Sequence, residues 1–188
     1  MEIISSILEF IKTVAIIIIV AFFVRYFVLQ PFIVQGESME PNFHNNEYLL
    51  VDKLTYRFRA AERGEVIVFH PPTAPGSNYI KRIIAIPGDT IEIKDGVVLV
   101  NGAKISEPYL PAEKTLITAP NANNVLKETL GPDQYFVLGD NREHSSDSRE
   151  WGILPKANII GRVWLIIFPL PNFGTVVSPH YSNVPAPS

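Results

Sequence analysis

The chain has 188 residues, 16 prolines and no cysteine, and its 16 Lys+Arg against 19 Asp+Glu give a formal charge of −3. The length allows one domain, or one domain with an appendage. The charge excludes a nucleic-acid binder, which needs a strongly cationic surface, and the missing thiols exclude disulfides, thiolate metal sites and a cysteine nucleophile.

Mean hydropathy is +0.16, and the excess sits at the N-terminus. Residues 3–29 carry only Glu9, Lys12 and Arg25 as charges, and every residue from Val14 to Val24 is apolar. A helix over 3–24 would be about 33 Å long, enough to cross a hydrocarbon core of about 30 Å. Glu9 and Lys12 share a face and partly neutralise each other, and Arg25 can snorkel to the interface. A buried soluble helix is disfavoured because no polar face exists. A cleaved leader would need small residues before the cut, whereas the run continues into Arg25-Tyr26-Phe27-Val28-Leu29. Residues 1–29 therefore read as an uncleaved membrane anchor, with orientation poorly set by charge.

From residue 30 to 188 the pattern is β-structure. Strands are expected over 32–35, 47–52, 65–70, 79–86, 90–94, 97–100, 134–138 and 161–168. Asp95-Gly96 and Asn101-Gly102 supply hairpin turns. The Pro- and Asn-rich stretch 107–133 has little pattern and reads as an insertion or surface excursion. The tail 178–188 is polar, Pro-rich and expected to be loose. Trp164 to Phe168, with Phe173, reads either as core strand or as a segment touching a bilayer.

Three short segments carry chemistry. Ser38 lies in Gln35-Gly36-Glu37-Ser38-Met39-Glu40-Pro41. This is not the G-x-S-x-G elbow, and alone Ser38 reads as a turn residue. Lys81 lies in a strand whose two faces are both mostly apolar, so the strand should be buried. A lysine there either snorkels to solvent or loses its proton through desolvation. Moving its pKa from about 10.4 to about 7.5 would cost roughly 4 kcal/mol and would make it a general base. The third segment runs from Gly139-Asp140-Asn141-Arg142 through Ser145, Asp147 and Arg149 to Trp151-Gly152. Its charge density fits a solvated loop, but Asp140 with Arg142 and Asp147 with Arg149 could pair into a buried scaffold.

Together these segments resemble the bacterial type I signal peptidases, the membrane-bound Ser-Lys proteases. The matching stretches are Ser38-Met39-x-Pro41, Arg63-Gly64-Glu65-Val66-Ile67-Val68-Phe69, Lys81-Arg82-Ile83-Ile84-Ala85-Ile86-Pro87-Gly88-Asp89 and the Gly139-to-Gly152 box, in order behind an anchor. The resemblance implies a mainly β fold: an N-terminal transmembrane helix, then an antiparallel, barrel-like catalytic domain over 30–188 with an excursion at about 89–133. It implies Ser38 as nucleophile and Lys81 as general base, with Ser145 hydrogen-bonding Lys81. Asp147 and Arg149 would brace the loop, and Phe32, Val34, Tyr79 and Ile80 would wall the substrate pockets. The implied substrates are secretory preproteins cleaved after small residues at −3 and −1, with no metal or cofactor. The implied setting is a single-pass plasma-membrane protein in contact with the lipid bilayer, with its domain on the extracytoplasmic side, as a monomer or weak oligomer. Gly36 departs from members that carry a serine there to help bind the oxyanion, so the Ser38 N–H and another donor would have to serve. Glu37, if close, would raise the Lys81 pKa.

Two rivals remain at this level. One is a Ser-His-Asp hydrolase using His70 or His144, two of the four histidines His44, His70, His144 and His180. The other is a non-catalytic membrane-anchored β-domain, which would need neither the Ser38 hydroxyl nor the Lys81 amine. A self-cleaving repressor is disfavoured because the N-terminus is an apolar anchor rather than a DNA-binding domain.

Overall fold

The apolar N-terminal run folds as one helix, α1 (Glu2–Phe23). Its span Ile4–Phe23 is long and apolar enough to cross a membrane, and none of it is buried against the rest of the chain. The structure is a computed structural model that describes residues 2–111 and 125–187. A π-helical turn over Val24–Val28 follows α1 and hands the chain to the first strand.

The strands are β1 (Leu29–Ile33), β2 (Tyr48–Asp52), β3 (Val66–Phe69), β4 (Tyr79–Ala85), β5 (Thr90–Lys94) and β6 (Val97–Val100). They continue as β7 (Ala103–Lys104), β8 (Val125–Thr129), β9 (Gln134–Leu138), β10 (Leu154–Pro155), β11 (Ile159–Phe168) and β12 (Gly174–Thr175). Two one-turn helices, α2 (Thr55–Phe58) and α3 (Ser148–Trp151), sit in the connections. The expected mainly β, antiparallel fold behind an apolar helix is what the chain adopts. One sheet runs β1-β2-β11-β3-β4-β9-β10 with β12 beside β11, and a second runs β7-β6-β5-β8. β11 reaches β2 and β3 through register shifts, and such bulges bend a strand and increase its twist.

β4 explains the site. It is paired on one side with β3, Ile67 opposite Lys81, and on the other with β9 from Arg82 onward. Lys81 through Ala85 are all buried, as two apolar faces require. Val66, Val68 and Ile80 pack with Val34, Met39 and Phe43 on one side of the sheet. Ile67, Phe69 and Ile83 pack with Tyr135 and Val137 on the other. In the second sheet the Asp95-Gly96 and Asn101-Gly102 turns have positive φ at both residues, the geometry of tight hairpins.

Two expectations need correction. The stretch 107–133 is not patternless throughout, because 125–129 form β8 against β5. β8 was illegible because its polar half faces solvent. Residues 112–124 of that stretch lie outside the described residues. The two-residue strands β7, β10 and β12 are too short for any periodicity.

The described part of the tail, 178–187, is not loose. Tyr181 and Val184 enter the core between the second sheet and β4 and β9. The Tyr181 hydroxyl lies 3.1 Å from that of Tyr109, and Asn183 Nδ2 donates to the Lys104 carbonyl at 2.6 Å. Pro179 packs on Gly64, whose φ of +86° and lack of a side chain the contact requires. A polar, Pro-rich segment with two apolar residues shows no local pattern, since its partners lie far away in sequence.

Tyr181→Ala should therefore lower the unfolding free energy by about 3 kcal/mol, the usual cost of emptying an aromatic site. Tyr181→Phe, which removes only the hydroxyl contact, should cost about 1 kcal/mol. Equilibrium urea unfolding of the full chain in detergent checks both, and a wild-type midpoint for Tyr181→Ala would show the tail to be dispensable.

Candidate active site

Ser38 is held by what surrounds it. After β1 the chain buries Val34, turns through Gly36 at φ +94° and buries Met39 and Phe43. The turn closes with Glu40 N–H donating to the Glu37 carbonyl and Phe43 N–H to that of Met39. From the loop after β9, Asn141 clamps the same turn. Its N–H donates to the Ser38 carbonyl at 3.1 Å and its Nδ2 to the Glu37 carbonyl at 3.1 Å. The serine backbone is thus fixed from both sides.

Lys81 meets it from β4. Its side chain is only 3% exposed, and Nζ lies 2.8 Å from Ser38 Oγ and 2.9 Å from the Ile80 carbonyl oxygen. Burial pushes its pKa down from the ordinary 10.5 to about 8, against the upward pull of Asp147 and Asp140 and with help from Arg149. Of the two sequence alternatives, snorkelling is the one not realised. The carboxylates that act on Lys81 are Asp147 and Asp140, not the exposed Glu37 named from its place next to the serine.

The charged loop is a buried scaffold rather than a solvated one. Asp147 takes Arg149 in a two-pronged pair, 2.8 Å at each contact, and also accepts the Gly139 N–H at 3.0 Å. The expected Asp140–Arg142 pair is not formed. Asp140 instead receives Arg82 Nε at 2.9 Å and Nη2 at 2.6 Å, and Asn42 Nδ2 at 2.8 Å. Arg142 reaches Glu107, before the second sheet's outer strand β8. Residues two apart in sequence lost to partners that sheet packing brought closer. Asn42 and Glu107 carry no local mark in the sequence, and Arg82 and Asn141 stand in the matching stretches without an assigned role.

Ser145 also departs from expectation. Its Oγ is buried without a hydrogen-bond partner, and the second bond of Lys81 Nζ goes to the Ile80 carbonyl. Ser145 lies over Gly139, where any Cβ would overlap the Ser145 side chain and the Ser38 carbonyl. Gly139 is therefore needed for close approach of three segments.

A cleft of about 730 Å³ opens beside the pair, lined by Ser38 and Lys81 and by all four expected wall residues, Phe32, Val34, Tyr79 and Ile80. The Ser38 N–H makes no hydrogen bond within the described residues, and that of Gly36 is taken by Asn45 Oδ1 at 3.0 Å. All four histidines are exposed, and Ser38 Oγ is bonded to Lys81 rather than to any of them. Among the described residues no group of three or more His, Asp or Glu side chains could hold a metal ion. The arrangement is that of a serine beside a desolvated amine, which suits nucleophilic catalysis.

Comparison with known proteins gives the same direction. Residues 7–168 match the family described as signal peptidase, peptidase S26. A signal peptidase I of Leptolyngbya laminosa is 36% identical over 93% of this chain and 86% of its own. Signal peptidase I P of Bacillus subtilis subsp. natto is 40% identical over 88% and 91%, and signal peptidase IB of Staphylococcus aureus is 36% identical over 90% and 93%. A crystal structure of a signal peptidase I from Enterococcus faecalis, 33% identical, covers 56% of this chain and 97% of its own with a TM-score of 0.47.

The depressed lysine has a stability consequence. The unfolded chain binds the Lys81 proton more tightly than the folded one, so burial costs stability below pH 8, and the cost fades as pH rises from about 8 to 10.5. Lys81→Met should stabilise the fold by about 2 kcal/mol at pH 7, after subtracting about 1 kcal/mol for lost hydrogen bonds. The gain should vanish near pH 10, where the residual charge penalty falls to about 1 kcal/mol. Denaturant unfolding at pH 7 and pH 10 measures it, and a destabilised variant at pH 7 would contradict the charge penalty.

Proposed function

The chain belongs to the signal peptidase family, peptidase S26, and from that membership we propose that its signal-peptide cleavage runs through a Ser38–Lys81 dyad. Family membership makes it a serine endopeptidase that removes signal peptides. The observation that carries the proposal is the 2.8 Å contact between Ser38 Oγ and a buried Lys81 whose pKa is lowered to about 8. On the order of a tenth of such lysines are neutral at pH 7, against about 0.03% of ordinary ones.

Neutral Lys81 takes the Ser38 proton as Oγ attacks the scissile carbonyl, and the resulting ammonium protonates the leaving amine. Water then attacks the acyl-enzyme with Lys81 again as base, and Ser38 is released. The Ser38 N–H is one donor for the oxyanion. Asp147 and Arg149 are positioning residues that hold the loop behind Lys81, and Ser145 packs between that loop and the serine turn. A peptide entering the cleft runs past Phe32, Val34, Tyr79 and Ile80. Such walls favour small residues at −3 and −1, because a large side chain has no depth to fill.

In this reading residues 1–29 form the anchor, and residues 30–188 form a catalytic domain on the extracytoplasmic side of the plasma membrane, with 89–133 as its excursion. The protein works as a monomer or weak oligomer. The exposed Trp164, Phe168, Leu170 and Phe173 add apolar contact with the bilayer.

Ser38→Ala and Lys81→Met should each lower kcat/KM on a preprotein by roughly 10⁴-fold or more, while replacing all four histidines by Gln leaves it within about threefold. Cleavage retained by either dyad variant would overturn the assignment. For wild type, kcat/KM should rise about tenfold per pH unit up to about pH 8 and level off above it, since the neutral amine is the active form. A profile that falls over that range would exclude Lys81 as the base.

A further inference from the structure

The domain's net charge gives no reason to expect attraction to anionic lipid, yet its basic residues are not evenly placed. A second cavity of about 260 Å³, separate from the catalytic cleft, is rimmed by Lys53, Arg57 and Lys156 and walled by Tyr56, Tyr135 and Ile159. It is an apolar recess with a cationic mouth, the reverse of an ordinary solvated surface. Within the rim Lys156 lies 3.3 Å from Asp133, Lys53 Nζ donates to Gln30 Oε1 at 3.3 Å among its contacts, and the Arg57 guanidinium lies 5.9 Å from the centre of the Phe27 ring. The nearby carboxylate of Asp52 is taken up by Thr55 and Leu54, and that of Glu65 by Arg59, Tyr56 and Arg162.

The position of this mouth decides what could fill it. The apolar span ends at Phe23. Phe27, under Arg57, and Val28, whose carbonyl accepts the Lys53 N–H, are four and five residues further on. With α1 spanning a bilayer, these residues lie at headgroup level, a layer about 5–8 Å deep. Phe58, 84% exposed beside Arg57, presents an aromatic ring at the same level.

We propose that this recess binds the phosphate of an anionic phospholipid headgroup, with Arg57, Lys53 and Lys156 holding the phosphate and the apolar wall receiving the glycerol end. The site goes beyond the proteolytic reading and rests only on α1 crossing the membrane. It would fix how the domain sits on the bilayer. Each basic residue at an anionic surface contributes about fivefold in affinity, so two of them together contribute about 25-fold.

The full chain in non-ionic detergent is titrated with dihexanoyl phosphatidylglycerol, with dihexanoyl phosphatidylcholine and inorganic phosphate as separate arms, and the thermal unfolding midpoint is followed. The wild type and the Ser38→Ala variant should show the same saturable rise with phosphatidylglycerol and none with phosphatidylcholine or phosphate. Arg57→Gln/Lys156→Gln should need about 25-fold more lipid, while cleaving a preprotein normally without lipid. Arg57→Lys/Lys156→Arg should respond like wild type. An equal response to phosphatidylcholine, an unchanged response in the Gln variant, or loss in the charge-conserving variant would overturn the site. A matching response to inorganic phosphate would overturn its assignment to lipid. Loss of cleavage in the dyad variants leaves all of these readings untouched.

Discussion

Everything at the site depends on keeping one ammonium away from water without giving it a carboxylate. Lys81 satisfies the first condition because β4 is flanked by β3 and β9 and packed on both faces. The second condition is harder, since Asp147 and Asp140 both pull its pKa upward. Each of those carboxylates is committed elsewhere, Asp147 to Arg149 and the Gly139 N–H, Asp140 to Arg82 and Asn42. A carboxylate whose lone pairs and charge are spent on a guanidinium holds a neighbouring lysine proton less strongly. The buried arginines thus let desolvation win, and a pKa near 8 is the balance.

The same pairs assemble the site. Arg82 joins β4 to the loop after β9, and its guanidinium also lies 4.0 Å from the centre of the Tyr109 ring. Arg142 joins that loop to Glu107, and the Tyr109 hydroxyl donates to Glu107 while touching Tyr181 of the tail. The second sheet and the C-terminal strap therefore converge on the segment that clamps Ser38. Buried ion pairs of this kind add little net stability over apolar packing, but breaking one leaves an uncompensated charge. Their value here is placement, because they specify one arrangement of loops that would otherwise have many.

Much of this architecture was legible from local pattern. Three strands, 90–94, 97–100 and 134–138, match the sequence reading to the residue, because alternating apolar residues and Asp-Gly or Asn-Gly turns act over a few positions. The anchor was legible for the same reason, differing by one residue at each end from the helix observed. Lys81 stood out because an amine inside a doubly apolar strand is costly wherever that strand lies. Glu37 misled because adjacency in sequence to Ser38 does not set proximity to Lys81. The tail misled because two apolar residues among prolines form no pattern until the core that receives them exists.

The sequence by itself determined the class of structure, the anchor, the strand carrying the lysine and the pair of residues able to perform serine chemistry. The first three follow from composition and short-range periodicity, which every residue carries with it, whereas the serine–lysine pair follows only from the resemblance of the three motif segments to a known family. Tertiary structure alone decided the partners: Ser38 with Lys81 across 43 positions, Asp140 with Arg82 across 58, Glu107 with Arg142 across 35 and Glu37 with Asn141 across 104. Strand register and the close approach of Gly139 to the serine turn place these groups. A buried charge takes whichever partner the packed sheet presents, so its neighbours in the chain do not predict it.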